Sequence, residues 1–186
     1  MARKGLLDMH NHRENVIHVI QGQFKVSARP GDVMTTVLGS CIAACLFDPV
    51  AKIGGMNHFL LPGSDPDSTS NVKYGAHSME QLINAMLQAG AQRSRIEAHL
   101  FGGANVVRGI SRIGDGNSIF AEEFVRQEGF TLCSKDTGGN SGRRVRFHPS
   151  TGQSHVRTLH ESIASLQRTE IGSPLNPQKD GNVELF

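Results

Sequence analysis

Residues 33–62 read VMTTVLGSCIAACLFDPVAKIGGMNHFLLP, and this stretch decides the fold class. It holds three short apolar runs, VMTTVL at 33–38, CIAACLF at 41–47 and the segment over 52–60. Turn signals separate them, first Gly39 and Ser40, then Asp48 and Pro49. Short apolar runs punctuated by glycine, proline and aspartate predict strands. In a strand over 52–60, the side chains of Lys52, Gly54, Met56, His58 and Leu60 share one face. Pairing 41–47 with 52–60 as antiparallel strands brings the side chains of Cys41 and His58 together.

The same texture continues upstream. NVIHVI at 15–20 and QFKVSA at 23–28 are further strand candidates, and Arg29, Pro30, Gly31 and Asp32 mark a turn after them. Residues 15–62 are therefore β-rich, and residues 63–71 form a polar loop. A helix is predicted over about 71–89, where Met79, Leu82, Ile83, Met86 and Leu87 recur on one face. Ser70 or Asn71 suits its start and Gly90 the position just past its end. Residues 95–101 read as a strand leading into Gly102, Gly103, Ala104 and Asn105. A second helix is expected over about 117–128, with Ile119, Phe120 and Phe124 inward and Gly129 after it. Residues 130–136 read as a strand, and 145–147 with 154–159 as a hairpin around Pro149, Ser150, Thr151 and Gly152. The expected fold is α+β, with two main helices packed on a largely antiparallel sheet system. Helices do not alternate with single strands, which argues against a doubly wound parallel sheet.

A chain of 186 residues is long enough for one ordinary domain. With 38% apolar residues and 21 glycines it is foldable and rich in tight turns. Residues 1–14 read as a loose polar arm, 15–167 as the domain, and 168–186 as a polar tail. A net charge of +2 does not argue for nucleic acid. Arg143, Arg144 and Arg146 are expected on a solvated strand face. No apolar run approaches the ~20 residues that span a bilayer, and the N-terminus has no signal-peptide core. The expected location is cytoplasmic, with Cys41, Cys45 and Cys133 as thiols.

Cys41 follows a small-residue turn, where a sulfur can be reached and backbone N–H groups of Gly39 and Ser40 can face an oxyanion. A cysteine beside an imidazole can act as a thiolate nucleophile. A third group usually orients such a base, and Thr35, Thr36, Asn57 and Asp32 are the nearby candidates. Zinc is the competing use of Cys41 and Cys45. On an extended strand their side chains lie about 13 Å apart at ~3.3 Å per residue, too far for one ion. The glycine clusters at 102–105 and 138–143 lack the lysine and hydroxyl of a phosphate-binding loop.

TTVLGSCIAACLFDP at 35–49 and KIGGMNHFLLP at 52–62 together resemble the CheD family of chemoreceptor glutamine deamidases. KYGAHSMEQLINAMLQAGA at 73–91, HLFGGAN at 99–105 and GGNSGRRVRFHPSTGQ at 138–153 extend the resemblance over most of 15–160. The resemblance implies a layered α/β/β sandwich and a nucleophile at Cys41. It further implies a general base at His58 and an orienting residue at Thr35, six positions before the cysteine. It implies no metal or organic cofactor. The implied substrates are glutamines of methyl-accepting chemotaxis receptors, with the phosphatase CheC as a partner of some members. One departure is Gly116, where the resemblance leads us to expect arginine before Asn117.

Overall fold

The computed structural model describes residues 14–61, 69–106 and 113–159. The expected tail and, apart from Glu14, the expected arm lie outside the described residues. Nine strands and two α-helices follow one another among the described residues. The strands are β1 (Asn15–His18), β2 (Phe24–Ser27), β3 (Asp32–Leu38), β4 (Ile42–Asp48) and β5 (Ile53–Asn57). After α1 (Thr69–Gln88) come β6 (Glu97–Gly102), α2 (Ile113–Gln127), β7 (Thr131–Thr137), β8 (Gly142–Phe147) and β9 (Ser154–Leu159). They form a four-stranded sheet ordered β1-β3-β8-β9 and a five-stranded sheet ordered β2-β5-β4-β6-β7. Only β1 with β3 and β6 with β7 run parallel, so the system is largely antiparallel as expected.

Strand β4 shows how the layers stack. All seven of its residues are buried. Ile42, Ala44 and Leu46 join the core formed with Met79, Leu82, Ile83 and Met86 of α1 and Phe120 of α2. Ala43, Cys45 and Phe47 join a second core with Met34 and Leu38 of β3 and Val145 and Phe147 of β8. The architecture is therefore helices, five-stranded sheet, four-stranded sheet. A strand covered on both faces reads as a continuous apolar run, which is why CIAACLF lacks alternation.

Helix α1 buries the expected face, and its end is capped as read: Gly90 adopts a φ of 108°, and the Ala91 N–H donates to the Met86 carbonyl at 3.0 Å. Its start is earlier than expected. Ser70 and Asn71 lie within the helix rather than at its cap, and Asn71 is buried.

Helix α2 differs more. It begins at Ile113, because Gly114 marks a close approach and not a break. A Cβ there would stand 2.4 Å from the Gly103 carbonyl oxygen. The earlier start makes the segment around Gly116 helical, and Asn117 uses it to accept the Leu61 N–H at 2.7 Å. The buried positions Asn117, Ser118, Ala121 and Val125 then define the inner face. Phe120 is buried and Phe124 packs against the core, but Ile119 points outward and is 53% exposed.

Strand β8 also begins earlier, at Gly142, which places all three arginines on it. Of the three, Arg144 alone is exposed. Arg143 turns inward and is buried, against the expectation of a solvated face, because Asp136 meets its guanidinium at 2.8 Å. Arg146 is partly covered and pairs with Glu14 at 2.5 Å. No described helix is long and apolar enough to cross a membrane.

Candidate active site

The β4–β5 register runs from Asp48 opposite Ile53 to Cys45 opposite Met56, and an isolated bridge joins Ile42 to Phe59 in the same phase. That phase sets His58 across from Ala43 and diagonal to Cys41. Phe59 belongs to the helix-side core and Cys41 to the core between the sheets. Alternation therefore turns His58 to the side that Cys41 occupies. Diagonal neighbours on one face of an antiparallel pair are within reach of long side chains.

Asn57 makes the break between ladder and bridge. Its Oδ1 accepts the Ala44 N–H at 3.0 Å, and its Nδ2 donates to Ser78 on α1. It therefore serves the helix side and does not orient the ring. Asp32 is also elsewhere, accepting from Asn15 and Ser27.

His58 is 2% exposed. Its Nδ1 lies 2.9 Å from the Thr36 hydroxyl and 3.3 Å from the Val19 carbonyl. A carbonyl only accepts, so the Val19 contact places the ring proton on Nδ1. Nε2 then carries the lone pair, and it is buried without a hydrogen-bond partner among the described residues. Burial pushes His58 down to about 4, opposed in part by the Val19 carbonyl. The ring is thus neutral at physiological pH, with a base-competent nitrogen.

Thr35 and Thr36 point to opposite faces of β3. Thr36 meets the ring directly. Thr35 donates its hydroxyl to the Val145 carbonyl at 2.9 Å, and its own carbonyl accepts the Val19 N–H at 3.0 Å. It reaches His58 through Val19.

The Cys41 turn is fixed from the other side. The Gly103 N–H donates to the Cys41 carbonyl at 2.7 Å, and the Ala104 N–H to the Gly39 carbonyl at 2.8 Å. Only glycine serves at 102, since a Cβ would lie 2.1 Å from the Cys41 carbonyl oxygen and φ is 108°. The 138–143 loop braces this contact. Gly138 donates to the Gly102 carbonyl at 2.9 Å, and Arg143 donates to the Gly138 and Gly102 carbonyls. Both glycine clusters are therefore supports for the cysteine turn.

The three thiols differ. Cys41 and Cys45 are buried and Cys133 is exposed, and none is in a disulfide. Burial pushes the Cys45 thiol far above its ordinary range, and partial burial with the Glu97 charge raises Cys133.

Residues 60–158 match the model of the family described as CheD chemotactic sensory transduction. A protein of Jannaschia sp. (strain CCS1), named probable chemoreceptor glutamine deamidase CheD, is 56% identical over 92% of this chain and 95% of its own. The chain belongs to the CheD family. A Caulobacter sp. (strain K31) member with the same name is 49% identical over 91% of this chain and 92% of its own. A solved structure, Neisseria meningitidis protein NMB0706, covers 68% of this chain and 63% of its own at 10% identity. Its TM-score of 0.43 is too low to inform fold or function.

Beside Cys41 and His58, this CheD chain brings two residues to the site that the sequence reading did not single out. Val19 and Gln21 come from the segment after β1. The Gly22 N–H donates to the His58 carbonyl at 2.7 Å and the His58 N–H to the Gln23 carbonyl at 3.0 Å, so this segment wraps the histidine's backbone. The one signal in the sequence is the pair of glutamines, Gln21 and Gln23, flanking Gly22 between the two strand candidates. A cavity of about 260 Å³ opens here, lined by His18, Gln21, Thr36, His58, Arg144 and Arg146 among others.

Proposed function

We propose that this chain hydrolyses glutamine side chains of chemotaxis receptors to glutamate, with Cys41 as nucleophile and His58 as the proton carrier. The observation that carries this is His58 Nε2, a buried lone pair with no hydrogen-bond partner among the described residues, on a ring whose other nitrogen is held by Thr36 and Val19. Leaving a buried polar atom unsatisfied is costly, and such sites concentrate where chemistry is done. The relatives named as probable chemoreceptor glutamine deamidases supply the substrate class.

In the proposed reaction, Nε2 takes the Cys41 thiol proton as sulfur attacks the carboxamide carbon. Backbone N–H groups near Gly39, Ser40 and Cys41 face the resulting oxyanion. The imidazolium returns the proton to the departing nitrogen, which leaves as ammonia and not as an amide anion. Water, deprotonated by His58, then opens the thioester to glutamate. Thr36 orients the ring directly, and Thr35 does so through Val19.

The receptor's cytoplasmic helical region is the proposed substrate segment, the cytoplasm the proposed location and CheC a proposed partner. The proposed catalytic unit is 15–167. Peptide mass spectrometry of receptor incubated with the purified protein tests the central claim. Receptor glutamines should gain the mass of the amide-to-acid change with the wild type and not with Cys41→Ala. Equal conversion by both proteins would overturn it.

A further inference from the structure

Cys41 is 1% exposed and is not part of the cavity wall, although His58 is. Between cavity and sulfur stands Gln21, itself a wall residue, whose Oε1 lies 3.6 Å from Cys41 Sγ. Gln21 sits in an exposed tight turn closed by the Gln23 N–H donating to the Ile20 carbonyl at 3.0 Å. The chain thus presents one of its own carboxamides to the thiol, the same group that the proposed substrate must bring there.

We infer that Gln21 is a resident substrate mimic that occupies the carboxamide subsite and gates Cys41, so that a receptor glutamine must displace it. The inference rests on Cys41 being the nucleophile. Three features support displacement over a fixed role. The side chain is on an exposed turn, its carboxamide is held by a weak S–H···O contact, and the incoming group restores the same contact. The thiol faces the carboxamide oxygen and not its carbon, so Gln21 blocks without being attacked. A gate of this kind lowers apparent substrate affinity by the fraction of time it stands closed. It also shields a reactive thiol from small electrophiles in the absence of receptor.

The test compares wild type, Gln21→Ala and Gln21→Asn, the last keeping the carboxamide but drawing it back by one methylene. Iodoacetamide labelling is followed at each cysteine by peptide mass spectrometry, with exposed Cys133 as internal reference for an intact fold. Loss of one such contact should raise the Cys41 labelling rate about fivefold in both variants. It should also lower KM for a receptor glutamine peptide by a similar factor, with kcat little changed. An unchanged or slower Cys41 rate at equal Cys133 labelling would overturn the gate, as would a fall in kcat at constant KM. Gln21 found as glutamate in the purified wild type would overturn it too, since the residue would then be a substrate. If Cys41→Ala retains deamidation, the nucleophile reading fails and the gate with it. If Cys41→Ala is inactive but Gln21→Ala changes neither labelling nor KM, only the gate fails.

Discussion

The buried polar groups found at and beside the two ends of strand β4 are treated in opposite ways. At the far end, the Asp48 side chain is fully buried and fully satisfied. Its carboxylate takes Arg95 at 2.7–3.1 Å and the N–H groups of Val50, Ala51 and Gln92 at 2.8–3.0 Å. These partners hold it well below the ordinary carboxylate range. Beside the near end, Cys41 and His58 are equally hidden, yet the ring keeps one nitrogen without a hydrogen-bond partner among the described residues and is pushed down to about 4. Burial costs a polar group stability unless bonds repay it. One end uses its bonds to hold the hairpin and the turn before β6, and the other leaves a ring nitrogen unbonded among the described residues, at the site proposed for the chemistry.

Cys45 sharpens the contrast. It lies within β4 and joins the same core between the sheets as Cys41, which immediately precedes that strand, and it stands opposite Met56 on one side and His99 on the other. It is enclosed by the ladder, whereas Cys41 sits where the ladder has opened at Asn57. Strand position, not residue type, separates the two thiols.

The largest expected effect is from Cys41→Ala. Deamidation should fall by about 10⁴-fold or more, as when a nucleophile is deleted, while the melting temperature stays close to wild type. A variant with the activity of wild type in the peptide-mass assay would erase the distinction between the ends.

His58→Ala should lower kcat/KM by about 10²–10⁴-fold, and its pH behaviour carries more information. Because the folded ring is held below the usual 6.5, it remains a base to lower pH. The acid limb of the wild-type kcat/KM profile should therefore lie below 6.5. A limb above that value would mean that thiolate and imidazolium pair before substrate arrives. The same depression makes the unfolded chain bind a proton that the folded chain refuses. Wild-type stability should decline as pH falls from 6.5 towards about 4. His58→Ala should flatten that window in denaturant titrations.

Asp48→Ala should cost about 3 kcal/mol of stability, because it strands Arg95 and three N–H groups. Activity per folded molecule should be little changed. The carboxylate's contribution is present above its unfolded value of 3.8 and lost as pH falls below it, so this window lies under that of His58. A loss of turnover with unchanged stability in Asp48→Ala would break the comparison outright.

The smallest effect separates the two threonines. Thr36→Val keeps the β-branched shape but removes the hydroxyl at Nδ1, and kcat should fall about fivefold, the worth of one buried hydrogen bond. Thr35→Val leaves the main-chain carbonyl on Val19 and should reduce kcat less. Steady-state kinetics on both variants decides this, and a larger loss at Thr35 would show that its hydroxyl bond to the Val145 carbonyl matters more to the ring than the Thr36 hydroxyl does.

Much of the fold was legible because it follows from local periodicity. The β-rich stretch over 15–62, the inner face of α1 with Gly90 beyond it, and the hairpin ending in β9 all rest on neighbours in sequence. The misread elements depended on partners from elsewhere. The start of α2, expected at about 117, moves to Ile113 once Gly114 is seen packed against Gly103. Ile119 looks like core until the helix start fixes which face is inward. Arg143 looks solvated until Asp136 and the 138–142 loop arrive.

The sequence by itself determined that Cys41 and His58 face the same side of the hairpin, because one short turn and the alternation of two adjacent segments set their phase. It also determined that glycine must stand near the cysteine turn. Only the tertiary structure decided which threonine touches the ring, since Thr35 and Thr36 differ by one step of the pleat and the choice depends on which face of β3 meets the other sheet. It alone brought Val19 and Gln21 to the site. Contacts within a hairpin are fixed by period and turn length, whereas contacts between stacked sheets depend on how two separately formed surfaces pack, and no local pattern encodes that distance.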